Sequence, residues 1–169
     1  LGQYDCNDNL ATTNPGAMEV CVGGDEDCDG QINEEGAQGC KKRYPDADGD
    51  GFGAAVSGKC LCAKTATYKV ENNDDCYDGN KHAKPGQTSW YVSHRGDGSF
   101  DYDCDGESER KHTLPGGNCS TILGFCSATQ KGFVNGVPSC GSSGKFLDGC
   151  DSGFFSCDEE YKTIQQECH

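Results

Sequence analysis

Asp25-Glu26-Asp27-Cys28-Asp29-Gly30 and Asp101-Tyr102-Asp103-Cys104-Asp105-Gly106 are two copies of one acidic cassette, Asp-x-Asp-Cys-Asp-Gly. Carboxylates at alternate positions followed by glycine form the opening half of a calcium loop. The side chains converge on one ion, and the glycine permits the sharp turn that brings in a backbone carbonyl. Each cassette follows a second matched motif. Asp5-Cys6-Asn7-Asp8-Asn9 precedes Asn14-Pro15-Gly16, and Asp75-Cys76-Tyr77-Asp78-Gly79 precedes Lys84-Pro85-Gly86. The Asp-Cys and Pro-Gly motifs recur at an offset of 70 and the cassettes at 76, so the second copy carries six extra residues. Residues 90–99, which include Gly96-Asp97-Gly98, read as the surface loop that holds them. Self-similarity at a fixed period points to two copies of one structural unit.

Composition fits that reading. Leu, Ile, Val and Phe together number 23 of 169 residues, and the net charge is -14. A chain so poor in core formers and so charged would ordinarily stay disordered. Fourteen cysteines reverse the expectation, because cross-links and metal ions can replace a missing core. An even cysteine count at this density indicates disulfides and an oxidising compartment. Zinc held by cysteine is disfavoured, since Cys60-Leu61-Cys62 is too closely spaced and no Cys-x2-Cys occurs elsewhere. The acidic excess lies in the repeats: residues 1–110 hold 22 of the 28 acids and 10 of the 14 basic residues. Clustered carboxylates repel one another in a compact state, and divalent cations remove that penalty. The acidic balance also sets nucleic acid aside as a partner. No apolar run is long enough to span a membrane. The start at Leu1, without Met, reads as a processed mature form.

No sustained helical periodicity appears, so turns, loops and short strands are expected. One short helical turn is expected after each Pro-Gly, with Pro15 at a first helical position. Between the repeats, Asp46-Ala47-Asp48-Gly49-Asp50-Gly51 forms a further acidic ladder, with Phe52 as a small hydrophobic plug. Leu114-Pro115-Gly116-Gly117 reads as a hinge. Beyond it, six cysteines and the apolar pairs Phe133-Val134, Phe146-Leu147, Phe154-Phe155 and Tyr161 with Ile164 indicate short strands in a small β-rich domain with three disulfides. The expected organisation is a first repeat over 1–43, a second with its leading ladder over 44–112, and a cysteine-rich β domain over 113–169. The fold class is therefore loop-rich and irregular: small modules stabilised by calcium and disulfides, followed by the β domain.

The order Tyr44-x-Asp46-x-Asp48-Gly49-Asp50-Gly51, Asp75-Cys76, Pro85-Gly86 and Asp101-x-Asp103-Cys104-Asp105-Gly106 resembles the MopE-type metal-binding repeat. Asp5-Cys6-Asn7-Asp8, Pro15-Gly16-Ala17-Met18-Glu19-Val20-Cys21 and the first cassette are similar to its latter part. The resemblance covers residues 5–36 and 44–110 and implies a secreted or surface protein of bacterial type. The family is named for copper, but its acidic motifs look like calcium sites. The ladders also resemble thrombospondin type 3 repeats, in which calcium and disulfides do the folding. Neither cassette is an EF-hand, because loop position 12 is Gly36 in one and His112 in the other, where a bidentate Glu is required. The closing ligands must come earlier in the loop or from the Asp-Cys-Asn-Asp segment. The second copy has Tyr91 where the first has Cys21. Comparison of the copies then implies the pairs Cys76–Cys104 and Cys6–Cys28, leaving Cys21, Cys40, Cys60 and Cys62 unassigned.

The candidate ligands of the first repeat are Asp5, Asn7, Asp8, Asn9, Asp25, Asp27, Asp29, Asn33 and Glu34. Those of the ladder are Asp46, Asp48 and Asp50, and those of the second repeat are Asp75, Asp78, Asn80, Asp101, Asp103, Asp105 and Glu109. The implied cofactor is Ca2+, several ions per chain. His82, His94, His112 and His169 could bind copper, since imidazole suits it. They are scattered, and a surface role is preferred. Asn118-Cys119-Ser120 matches a glycosylation acceptor pattern only weakly, and Trp90-Tyr91 reads as a satellite core. No nucleophile elbow or Cys/His catalytic pattern is present, so no enzyme activity is expected. The favoured role is a secreted, calcium-stabilised structural protein of adhesion or extracellular assembly, such as a filament subunit. Its partners would be copies of itself or cell-surface components. Extracellular capture of copper is the alternative.

Overall fold

The computed structural model describes residues 4–153 and 156–169. The chain divides into two compact units, residues 1–84 and 85–169. Among the described residues there is no helix, and eight short strands form three small antiparallel sheets. No helix is therefore long and apolar enough to cross a membrane. The loop-rich, disulfide-stabilised architecture expected from composition is what the chain adopts. The helical turn expected after Pro15 is not: Ala17 N–H donates to Asn14 O at 2.9 Å, closing a tight turn with Gly16 at φ +99°. Proline second and a positive-φ glycine third favour a type II turn, which ends there rather than propagating.

In the first unit, β1 (Lys41–Pro45) lies between β2 (Lys59–Leu61) and β3 (Tyr68–Val70). Lys42 pairs with Cys60, and Tyr44 pairs with Val70 just before a bulge at Pro45. The apolar core is very small: Tyr44, Ala37 and Ala83 are buried, along with the polar Arg43, Asp46 and Asp75. Covalent links do much of the holding. Cys6 joins Cys28, Cys21 joins Cys62, and Cys40 joins Cys60. The Cys6–Cys28 bridge is the one that comparison of the repeats implied.

The second unit holds a hairpin of β4 (Cys119–Ile122) and β5 (Phe125–Ala128). It also holds a sheet ordered β6 (Gly132–Phe133), β7 (Ser143–Ser152), β8 (Cys157–Gln165). Phe133, Phe146 and Leu147 are its buried centre, with the two phenylalanine rings edge to face at 5.3 Å. Three disulfides staple this unit: Cys119–Cys150, Cys126–Cys157 and Cys140–Cys168. Strands stand where Phe133, Phe146-Leu147 and Tyr161–Ile164 were expected; Phe154 and Phe155 lie outside the described residues. The 114–117 segment, read as a hinge, is paired with β6. Gly116 N–H donates to Phe133 O at 2.9 Å, and a Cβ on Gly132 would stand 2.4 Å from Leu114 O. Cys76 and Cys104 are also disulfide-bonded, and no cysteine is free.

Candidate metal centres

The first cassette is a tight acidic turn. Asp29 N–H donates to Asp25 Oδ1 (3.0 Å) and Asp27 Oδ1 (3.1 Å), and Gly30 N–H donates to Asp25 Oδ2 (3.0 Å). Cys28 at φ +62° and Gly30 at φ +93° make the reversal that folds three carboxylates together, each offering an oxygen within 4.8 Å of the others. Gln31 donates to Asp29 from its side chain and its backbone, and these bonds hold the Asp29 carboxyl below its usual range.

Asp27 also faces Glu19 and Glu34, which form a second carboxylate cluster. Glu19 is buried, which pushes its carboxyl up. The N–H groups of Glu26, Asn33 and Asp27, with the Glu34 carboxyl, outweigh that, and the net direction is down. Burial and then the Glu19 charge push Glu34 up. Both Glu34 oxygens are sealed from solvent, with the Glu19 carboxyl beside them. Such acceptors are costly unless a cation or proton meets them. Sequence reading missed Glu19; its signal was its place two residues after the Pro-Gly-Ala turn that faces the cassette. Asn33 serves differently, its Oδ1 accepting Val22 N–H at 2.6 Å. The Asp5–Asn9 stretch forms an exposed turn, with Asp5 accepting from Asn7 N–H (2.8 Å) and Asn7 from Asn9 N–H (3.3 Å). Asp8 is exposed, and the Cys6–Cys28 bridge ties this turn to the cassette.

The ladder builds the most buried centre. Gly49 N–H donates to Asp46 Oδ1 (2.7 Å), Asp50 N–H to Asp48 Oδ1 (3.1 Å) and Phe52 N–H to Asp50 Oδ1 (2.9 Å). The second Asp-Cys motif then docks onto it. Ala47 N–H donates to Asp78 Oδ1 at 2.6 Å, and Asp75 N–H donates to Gly53 O at 3.0 Å. Asn72 clamps the ladder's exit, accepting from Gly53 N–H (2.9 Å) and donating to Gly51 O (3.0 Å). Asp75 is 2 % exposed and the Asp50 side chain 1 %. Burial, then the charges of Asp50, Asp48 and Asp78, push Asp75 up to about 6. Burial, then Asp50, Asp78 and Asp46, also push Asp48 up. Asp48 Oδ2, Asp50 Oδ2 and Asp75 Oδ2 are all sealed and without a hydrogen bond. Two lysines approach: Lys84 Nζ lies 3.9 Å from Asp50 Oδ2, and Lys69 Nζ donates to Asp46 O. Five carboxylates thus converge from two chain segments. Asn80 stands outside this set as a turn residue, its Oδ1 accepting from His82 N–H at 3.2 Å.

The second cassette is wired otherwise. Asp101 meets Arg95, whose Nη1 lies 3.6 Å from its Oδ2 and donates to its backbone oxygen at 2.5 Å. Arg95 also holds Asp97 and lies in the 90–99 segment read as holding the extra residues, so that loop delivers a buried guanidinium rather than only decorating the surface. Asp105 is exposed and accepts from Glu107 N–H at 2.9 Å. Asp103 and Glu109 gather with His169, which sequence reading left on the surface. Of the other histidines, His94 Nδ1 accepts from Gly96 and Gly98 N–H, and His112 packs on Phe133 and Phe146.

Hard carboxylate oxygens, several per cluster, in loops tied by disulfides, define a disulfide-stabilised protein that carries metal-binding motifs. The family comparison agrees at that level. Residues 5–34 and 75–89 match the MopE-type copper-binding family model, described as "Putative metal-binding motif". The matched segments hold the first cassette with its preceding turn, and the Asp75–Asp78 half of the buried centre. No curated protein and no solved structure matches the chain.

Proposed function

We propose that this chain is an extracellular structural protein whose first unit folds around Ca2+. The observation that carries the reading is the buried centre, where Asp46, Asp48, Asp50, Asp75 and Asp78 meet with three sealed oxygens left over. Calcium takes six to eight oxygens in flexible geometry, which suits a cage of mixed carboxylates and nearby carbonyls. The first cassette with Glu19 and Glu34 is a second such site. The ions act architecturally: they neutralise carboxylates and fix loops that a very small apolar core cannot fix. An affinity on the order of 10⁻⁴–10⁻³ M, usual for extracellular modules, would keep them loaded outside the cell. Full oxidation of the cysteines supports a secreted or surface location.

The role of the second unit is contact with neighbours, in adhesion or in an assembly such as a filament, rather than catalysis. Its β4–β5 hairpin presents Leu123 and Phe125, 94 % and 77 % exposed, and β8 is an edge strand of its sheet. The test is light scattering and thermal melting of the native, disulfide-intact protein in calcium and in EDTA. A steep fall in melting temperature with EDTA is expected, and dissociation if the protein assembles. Equal stability in both media sinks the calcium reading.

A further inference from the structure

We propose that Asp103, Glu109 and His169 form a site for one divalent transition-metal ion of borderline softness, for which Zn2+ is the probe, chemically distinct from the oxygen-only centres of the first unit. Each of the three residues offers a ligand atom within 4.8 Å of the others, and His169 Nδ1 lies 3.5 Å from Asp103 Oδ2. Asp103 Oδ1, Glu109 Oε2 and His169 Nδ1 are all sealed from solvent and make no hydrogen bond. The Asp103 and His169 side chains are each 19 % exposed.

The three side chains are held in place. Glu109 N–H donates to His169 O (3.0 Å) and His169 N–H returns to Glu109 O (3.2 Å), a two-way bond that fixes both ligands on one short ladder. Cys168 makes the same exchange with Tyr91, at 2.9 and 2.8 Å, and is bonded to Cys140. The His169 ring meets Trp90 edge-on at 4.1 Å. Preorganisation of this kind is what a small metal site requires.

The ligand chemistry selects against calcium. One imidazole and two carboxylates supply too few oxygens for a hard ion, whereas nitrogen and carboxylate oxygen in a set of three, with a position left for water, suit zinc. Arg95 pairs with Asp101 through Oδ2, so one carboxylate of the second cassette already has a cation beside it. A plain His169–Asp103 ion pair is the simpler reading, but it leaves Glu109 Oε2 sealed and unmet.

The experiment is titration of Zn2+, and of Co2+ read by its visible absorption, into the full chain in millimolar calcium. The expected result is one equivalent bound, weakened about tenfold or more by His169→Ala and by Asp103→Asn. Asp103→Asn leaves the backbone ladder intact, so it decides the matter if His169→Ala does not fold. No uptake in excess calcium overturns the proposal, as does uptake that neither variant changes, which would place zinc on other histidines. Calcium binding by the first unit is read separately in the same samples, so either reading can fail alone.

Discussion

Replacing Asp75 with Asn should have opposite effects with and without calcium. Asp75 is 2 % exposed and pushed up to about 6 by burial and by Asp50, Asp48 and Asp78. A folded value raised from 3.8 to about 6 means that ionising this side chain costs the calcium-free fold about 3 kcal/mol at neutral pH, nearer 2 once solvent screening is allowed for. Asn keeps the oxygen that accepts Tyr77 N–H at 2.7 Å and removes the charge. In EDTA, Asp75→Asn should therefore raise stability by about 2 kcal/mol, a melting shift on the order of 10 °C. In calcium it should weaken uptake by about tenfold or more, because one charged ligand is gone. The sign with pH follows. The stability that protonated Asp75 contributes to the calcium-free protein is fully present below about pH 4 and is lost as pH rises through about 6, since this group prefers its proton in the folded state. In calcium the slope reverses, because protons then compete with the ion. Urea melts at pH 5 and 7.5, with and without EDTA, measure all four cases. If Asp75→Asn destabilises the protein in EDTA as well, Asp75 is a structural acceptor and the cage reasoning is wrong.

Other outcomes follow from the same geometry. Glu34→Gln should remove calcium uptake from the Glu19–Asp27–Glu34 cluster while sparing the ladder, which a calcium count by calorimetry would read as one equivalent lost. Gly53→Ala should cost about 1–3 kcal/mol and impair the buried centre, because a Cβ there would stand 2.3 Å from Asn72 O and 2.7 Å from Tyr44 Cβ; a melting curve matching wild type would contradict this. Opening Cys40–Cys60 by a double Ser substitution should lower stability by about 3 kcal/mol, the loop-closure value for a separation of 20 residues. Calcium uptake should survive that change, since the bridge closes the β1–β2 end and not the ladder.

Local chemistry was legible in the sequence, and long-range union was not. The alternate Asp spacing of both cassettes and of the ladder announces acidic turns, and the turns form as spaced because Asx side chains cap backbone N–H groups two or three residues on. The repeat comparison reached Cys6–Cys28, but Cys21–Cys62 and Cys40–Cys60 join the first repeat to the β1–β2 region, where no repeat comparison reaches. The docking of Asp75 and Asp78 onto the 46–50 ladder depends on the β1–β3 pairing and the Asn72 clamp, neither of which leaves a periodic signal. His169 lies 60 residues from Glu109 and meets it only because the 166–169 segment adds to the edge of Tyr91 and residues 109–111.

The 90–99 segment gives the second cassette different surroundings from the first, and it yields a test of that difference. The carboxylates of Asp25, Asp27 and Asp29 are met by backbone N–H groups and by Gln31, whereas Asp101 has the Arg95 guanidinium 3.6 Å away. A guanidinium fixed by the chain offsets a carboxylate whether or not metal is present, so the second unit should depend less on calcium than the first. Arg95 is 9 % exposed and the Asp101 side chain 12 %. Removing one member of so buried a pair typically costs about 3–5 kcal/mol, because the other charge loses its partner in a poorly solvated place. Arg95→Met keeps an apolar stem and removes the guanidinium, with its charge and its hydrogen bonds to Asp97 and to Asp101 O. In EDTA it should lose stability on that scale. In calcium part of the loss should return, because the Asp101 carboxylate, no longer paired with a guanidinium, can then recruit an ion. Melting of Arg95→Met in both media decides the point: equal loss in calcium and EDTA would mean that Arg95 acts by packing and hydrogen bonding, and that its charge does not stand in for a cation.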